Sequence, residues 1–297
     1  MAGGKGRRNS VRALGAAVAV TAAGLGYARW EAGSYRLRRA DVVALPAGHD
    51  PVRVLHLSDL HLTPQRHRLQ SWVTDLAGLS PDLVLVTGDI ISHTEAVPLA
   101  INALAPLGDV PAAFVLGSND YYEPRLSNPL QYLAGPSRTD LSRPELPWQD
   151  LIDGLTNMGW HYLGNSAQRV SLPAGDIDLR GVDDPHIDRD NYGLVSGPIE
   201  GVTIGVAHAP YRRVLDAMAD DDLALIVAGH THGGQLRIPG FGALVTNSDL
   251  DRRRARGVSV HRQTPMHVSA GLGTSPYTPF RFACPPEATL LTLSAPG

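Results

Sequence analysis

A chain of 297 residues and 31.7 kDa, 43% hydrophobic and 19% charged, can bury a full core, and its composition excludes bulk disorder. Its only cysteine, Cys284, excludes an intramolecular disulfide and any thiolate-built zinc or iron–sulfur centre, so a metal would rest on His, Asp, Glu or Asn. The net charge of −3 is uneven: residues 1–39 carry eight basic groups against Glu31 (+7), leaving 18 basic and 28 acidic side chains (−10) in 40–297. So acidic a main body lacks the electrostatic footprint of a nucleic-acid binder, and no nucleic-acid partner is expected.

Residues 1–48 read as a basic leader. Within it ALGAAVAVTAAGLGYA (13–28) is uncharged; its 16 residues are near the lower limit for a bilayer span and also suit the apolar part of a signal peptide. A soluble Ala-rich helix is the alternative. Arg7-Arg8 resembles the start of a twin-arginine export signal, although the residues after it fit that pattern poorly. The expectation is a signal-anchor or transmembrane segment over about 13–28, and a protein that is membrane-associated or exported. The side of the membrane is left open, because basic residues flank both ends of the segment.

Residues 49–297 read as one domain of strands alternating with helices. VRVLHLS (52–58) is a short apolar run ending in a polar loop, as a buried strand does. Helical spacing follows over Arg66–Leu79, then a second strand in LVLVTG, a helix around Glu95–Leu104 and a third strand at 112–117. Residues 121–147, rich in Pro, Arg and Tyr, read as a long cap-like loop. A helix near Trp148–Met158 precedes turn-separated strands, and 201–210 and 223–235 each read as strand then polar loop, with a helix at 211–219 between them. Several short strands close the chain. This α/β pattern with a β-rich second half predicts stacked sheets with helices outside.

The chemistry lies at the strand ends. Nearly every buried-strand candidate stops at metal-capable residues: Asp59 and His61, Asp89, Asn119, His208, then His230 and His232. Open α/β sheets build sites beyond the carboxyl ends of their strands, so these loops can converge. Two close divalent ions need hard ligands and a carboxylate able to bridge them, which D-x-H, G-D and H-T-H together supply. Any one of these histidines alone would more simply be a satisfied surface or core residue; agreement among strand ends carries the reading.

The ordered motifs SDLH (58–61), GD (88–89), GSND (117–120), AH (207–208) and GHTH (229–232) resemble the calcineurin-like metallophosphoesterase family over about residues 50–297. The longer stretches LHLSDLH, GHTHGGQLRIPGFG and RFACPPEATLLTL resemble its membrane-associated phosphodiesterase branch. The resemblance implies a four-layer αββα sandwich of two mixed β-sheets flanked by helices, the metallo-dependent phosphatase-like fold. It further implies two divalent ions (Mn²⁺, Fe²⁺, Zn²⁺ or Mg²⁺), with Asp59, His61 and His232 on one, His208 and His230 on the other, and Asp89 bridging. Metal-bound hydroxide would attack phosphorus, making the protein a phosphodiesterase or pyrophosphatase whose phosphate-ester substrate is lipid-linked or nucleotide-linked.

The third motif departs from the family's Gly-Asn-His-Asp/Glu. Either Ser118 replaces the metal ligand and Asn119 the histidine, or a one-residue shift lets Asn119 ligate; the carboxamide favours Asn119. No histidine follows, so the usual donor to the leaving group is missing, and slower turnover or a preference for good leaving groups is expected. Asp89, Asn119 and His208 are expected to carry catalysis, with Tyr121 and Arg125 touching substrate. His56 reads as core, Asp183-Asp184 as a turn, His93 and His186 as loop residues, Arg138 as part of the cap, and Cys284 as structural. A metal-binding scaffold weakened in catalysis is the competing function, and a barrel amidohydrolase fits poorly because its His-x-His comes at the first strand.

Overall fold

The structure is a computed structural model that describes residues 3–125 and 140–297. The apolar runs of the first half form parallel neighbours: β2 (Val52–Leu57), β3 (Leu83–Thr87), β4 (Ala112–Val115) and β5 (His161–Tyr162). The last strand, β14 (Glu287–Ser294), pairs antiparallel with β2, and β1 (Arg36–Val43) runs parallel to β14 at the edge. Strand β1 falls within residues 1–48 and belongs to the sheet. Its charged residues hid it from an apolar-run search; they face solvent at an edge, where charge discourages further pairing.

The second sheet has the order β12 (Gly257–His261), β13 (Thr264–Val268), β9 (Leu225–Ala228), β8 (Val202–Val206), β7 (Gly175–Gly181) and β6 (Ser166–Leu172). Its central pairings are parallel and both edges antiparallel, so it too is mixed. The sheets stack through Val54, Leu85 and Val115 on one side and Leu179, Val206 and Val227 on the other. Helices α2 (His67–Asp75), α3 (Val97–Leu104) and α5 (Trp148–Asn157) cover the first sheet's outer face. Helix α6 (Arg212–Asp220) covers the second, burying Val214, Leu215 and Met218 at helical spacing. The expected four-layer αββα sandwich is what forms.

This layering decides where polar chemistry can sit. Both faces of β3 are covered and all its residues are buried, each large apolar side chain contributing about 1.5–3 kcal/mol by leaving water. Little room is left for ionisable groups on the sheet faces, so the functional side chains gather in the loops beyond the strand ends. Between β4 and the next loop lies one such segment, the single-turn helix α4 (Ser118–Tyr121).

Helix α1 (Gly3–Glu31) contains the expected 13–28 segment. Its last turn docks on the domain: the Arg281 N–H donates to the Ala28 carbonyl at 2.9 Å and the Cys284 N–H to Glu31 Oε2 at 3.1 Å. Among the described residues no helix is long and apolar enough to cross a membrane. The transmembrane expectation is not met there because Ala and Gly dominate the stretch and each contributes little hydrophobicity. The central part of the expected cap, residues 126–139 with Arg138, lies outside the described residues.

Candidate metal centre

The loops after β2, β3 and β9 set Asp59, His61, Asp89 and His232 so that one ligand atom from each lies within 4.8 Å of the others. His61 Nε2 is 3.2 Å from His232 Nε2 and 3.5 Å from Asp89 Oδ2, and His232 Nε2 is 3.7 Å from Asp59 Oδ1. A second group adjoins it through the same carboxylate. His208 Nε2 lies 3.5 Å from Asp89 Oδ2 and 3.2 Å from His230 Nδ1. Asn119 closes this side, its backbone N–H donating to Asp89 Oδ1 at 2.9 Å and its Nδ2 to Oδ2 at 2.8 Å. All seven sequence-expected ligand residues therefore come together, and Asp89 stands between the two groups.

Hydrogen bonds at the far side of each ring fix which nitrogen faces inward. The Thr87 carbonyl accepts from His208 Nδ1 at 2.7 Å, which turns Nε2 toward the centre. The Asn247 carbonyl accepts from His230 Nε2 at 3.0 Å, leaving Nδ1 free, and Ser92 Oγ engages His61 Nδ1 at 2.9 Å, turning Nε2 inward. Such outer partners orient metal-ligating histidines and raise their basicity. At His232, Arg281 Nη2 donates to Nδ1 at 3.3 Å, sharing its hydrogens with the Gly273, Ala270 and Gly271 carbonyls at 2.7–3.0 Å. Free imidazole lone pairs beside two carboxylates are the donor set that hard to borderline divalent ions take, so the residues fit a two-metal centre.

Burial alone would lower His208, but the Asp89, Asp184 and Asp59 carboxylates raise it to about 9, so without an ion that ring keeps a second proton, which metal binding would displace. Burial lowers His61 to about 4 and holds His230 and His232 well below the ordinary range, so these rings are neutral and able to donate a lone pair. Burial alone would raise Asp89, but the His208 and His61 rings and the Asn119 amide hold it well below the usual carboxylate range. Burial lifts Asp59 to about 6.

The backbone is strained where the ligands sit. Asp59, His61, Asp89, His230 and His232 all have φ between +46° and +66°, the left-handed region non-glycine residues avoid. Such outliers persist where surrounding structure over-determines them and cluster at functional sites. Gly117 is needed for space: an ideal Cβ there would stand 2.3 Å from Asp89 Oδ1 and 2.6 Å from His208 Nε2.

Several contributors escaped the sequence. Asp120 is fully buried and accepts from the Ile90, Ile91 and Gly117 N–H groups at 2.7–2.9 Å, tying the Gly-Asp loop to the third motif. Ser92 just past the Gly-Asp motif, Arg281 at the head of RFACPPEATLLTL and Asn247 between motifs gave no ligand signal of their own. His186 is closer in than a loop residue need be, its ring 4.5 Å from that of His230 and its Nδ1 2.9 Å from the Tyr211 hydroxyl. Asp184 is fully buried with Oδ2 unpartnered, which its turn-like sequence did not announce. Of the expected substrate residues, Tyr121 is buried with its hydroxyl on Asp183 at 2.7 Å, and Arg125 pairs with Asp140 at 2.7 Å on the surface. His56 is core, as expected, and His93 caps the short turn at Thr94.

Comparison with known proteins agrees with this geometry. Residues 52–234 match the calcineurin-like phosphoesterase family. The chain is 26% identical to the phosphodiesterase YaeI of Escherichia coli, over 97% of this chain and 98% of that protein. It is also 26% identical to the uncharacterized metallophosphoesterase YkuE of Bacillus subtilis, over 95% and 94%. A Danio rerio transmembrane protein with a metallophosphoesterase domain is 30% identical over 66% of this chain and 43% of its own length.

Proposed function

The chain belongs to the calcineurin-like phosphoesterase family and is a hydrolase of phosphoester bonds dependent on two metal ions; from that premise we propose that it is a phosphodiesterase or pyrophosphatase acting at a membrane surface. The observation that carries this is the set of ring nitrogens of His61, His208 and His230, each turned inward by an outer hydrogen bond and gathered around the shared Asp89. Asp59, His61 and His232 would hold one ion, His208, His230 and Asn119 the other, with Asp89 between. Bound there, the pair would make a nucleophilic water available near neutral pH and neutralise charge on the phosphoryl oxygens.

The chain's own groups define the rest. Asn119 offers an amide that a one-residue shift would bring to the role of the family's metal-binding Asn, and Asp89 holds it through two hydrogen bonds. No imidazole of the third motif stands beside the leaving group, which favours esters whose leaving oxygen needs no proton, such as the phosphate of a pyrophosphate bond.

Support for the membrane comes from a continuous exposed rim. Trp30 and Tyr27 of α1 adjoin Phe282, whose strand-like segment bonds Arg237 of β10 (Arg237–Ile238); β11 (Gly242–Ala243) completes that hairpin, with Phe241 at its turn. Trp30 and Phe241 are at least half exposed, and Arg252 lies 3.9 Å over the Phe241 ring with Arg253 beside it in solvent. Aromatic and apolar groups mixed with arginines match an anionic lipid interface. The same Arg237 donates to the Gly233 carbonyl next to His232, so the rim borders the metal loops and a lipid-linked, nucleotide-activated substrate would meet both.

The test is hydrolysis of an aryl phosphodiester by the full chain with Mn²⁺, against a chelator and Asp89→Asn. Metal-dependent turnover abolished in the variant is expected. Silence with Mn²⁺, Fe²⁺, Zn²⁺ and Mg²⁺, with metal binding intact, would favour the weakened scaffold instead. Sedimentation with phosphatidylglycerol vesicles but not phosphatidylcholine, reduced by Trp30→Ser with Phe241→Ser, is expected of the rim; equal pelleting by both proteins would remove the membrane part.

A further inference from the structure

Two histidines lie in the seam between the sheets, away from the metal centre. His56 of β2 and His267 of β13 are almost wholly buried, with their Nδ1 atoms 2.8 Å apart and rings edge-on at 72°. Burying polar rings between apolar sheets is costly unless every polar atom is satisfied, so the destination of their hydrogen bonds matters. His56 Nε2 lies 2.9 Å from Thr87 Oγ1, Thr87 Oγ1 is 2.7 Å from Ser58 Oγ, and Ser58 Oγ is 2.5 Å from Asp59 Oδ2. The series runs unbroken from the middle of the fold to a metal-ligating carboxylate.

We infer that His267, His56, Thr87 and Ser58 form a single hydrogen-bonded chain, polarised one way, that positions Asp59 for the metal. The direction follows from counting hydrogens. A carboxylate that holds a metal only accepts, and both Asp59 oxygens already accept from the His230 N–H at 3.1–3.2 Å. Ser58 must therefore give its one hydroxyl hydrogen to Asp59, and so must accept from Thr87. Thr87, with its own hydrogen spent on Ser58, accepts from His56. His56 is neutral because burial and the neighbouring ring hold it well below its ordinary range, so a proton on Nε2 leaves Nδ1 as acceptor. His267 then donates from Nδ1. A reversed link at any point would set two donors or two acceptors against each other in a dry seam.

The consequence for the site is which oxygen is used. Ser58 holds Oδ2, so Oδ1, 3.7 Å from His232 Nε2, is the oxygen left for the ion. Gly229 closes over this link, since an ideal Cβ there would fall 1.8 Å from Ser58 Oγ. Ser58, Thr87 and His56 are thus positioning residues, acting on the reaction through Asp59. The inference rests on Asp59 being a ligand, as proposed above.

Long-range ¹H–¹⁵N spectra of the imidazoles in the full chain loaded with diamagnetic Zn²⁺ test it without reference to turnover. The expected result is the Nε2–H tautomer at His56 and the Nδ1–H tautomer at His267, the latter being the less common form for a neutral histidine. Thr87→Val keeps the volume but cuts the chain, and should weaken Zn²⁺ binding about 10–100-fold, the usual loss when an outer partner of a ligand is removed. Thr87→Ser should restore it. An Nδ1–H tautomer at His56, or unchanged Zn²⁺ affinity in Thr87→Val, would overturn the inference, and the spectrum decides even if that variant does not fold. Wrong tautomers in a chain that hydrolyses the diester would sink this inference alone, whereas the expected tautomers in a chain that hydrolyses nothing would sink the functional reading alone.

Discussion

Gly117→Ala isolates the geometry of Asp89 from everything else. The backbone at 117 (φ −119°, ψ 172°) suits alanine, so no dihedral strain enters. Space is the difficulty, because the new methyl would stand 2.3 Å from Asp89 Oδ1 and 2.6 Å from His208 Cε1 and Nε2. Carbon–oxygen contacts relax only near about 3.3 Å, so the carboxylate must retreat by roughly 1 Å, and a misplacement of about 1 Å in an active site can cost ~10²-fold. The expected fall in kcat/KM for Mn²⁺-dependent hydrolysis of an aryl phosphodiester is therefore on the order of 10²-fold, or about 2.7 kcal/mol of transition-state stabilisation. Gly201→Ala, with nothing within 4 Å of its Cβ, is the control and should match the parent. Circular dichroism and thermal unfolding check that both variants fold. If folded Gly117→Ala keeps kcat/KM within about threefold of parent, Asp89 is not the pivot of the site and the reasoning fails.

Other outcomes follow from the same geometry. Ser92→Ala removes the hydroxyl at His61 Nδ1 and should weaken Mn²⁺ binding about 10–100-fold, read by titration calorimetry; an unchanged isotherm would show that the ring needs no such anchor. Ser118→Asn with Asn119→His restores the family's third motif, and should raise turnover of alkyl diesters relative to aryl diesters by on the order of 10²-fold; an unchanged ratio would mean another group already protonates the leaving oxygen. Asp184→Asn addresses pH. Burial lifts Asp184 to about 7 from an ordinary 3.8, so its contribution to stability is complete below 3.8 and is lost as pH rises through 7, by as much as about 4 kcal/mol. In metal-free protein the Tm of Asp184→Asn should therefore fall less than the parent's between pH 6 and pH 8, two pH values chosen to straddle the titration at about 7; parallel curves would show that Asp184 does not ionise there.

What the sequence determined by itself was local. Apolar runs such as VRVLHL and LVLVT are buried on both faces and specify strands, and the polar residues directly after them specify loops at the strand ends. Asp59, His61, Asp89, His208, His230 and His232 were legible for that reason: each stands at the end of a run whose burial the sequence already encodes. Edge strand β1 was not legible, because an exposed charged strand has no hydrophobic period and gains its partner only from β14, some 250 residues away. The same holds for every contact between distant segments. Ser92 on His61, Asn247 on His230, Asp120 across two loops and His267 behind His56 each join residues that no local pattern connects. A hydrogen bond is decided by angstroms and sequence order does not carry them, so tertiary structure alone fixed which nitrogen of each imidazole faces the centre and which oxygen of Asp59 is held by Ser58.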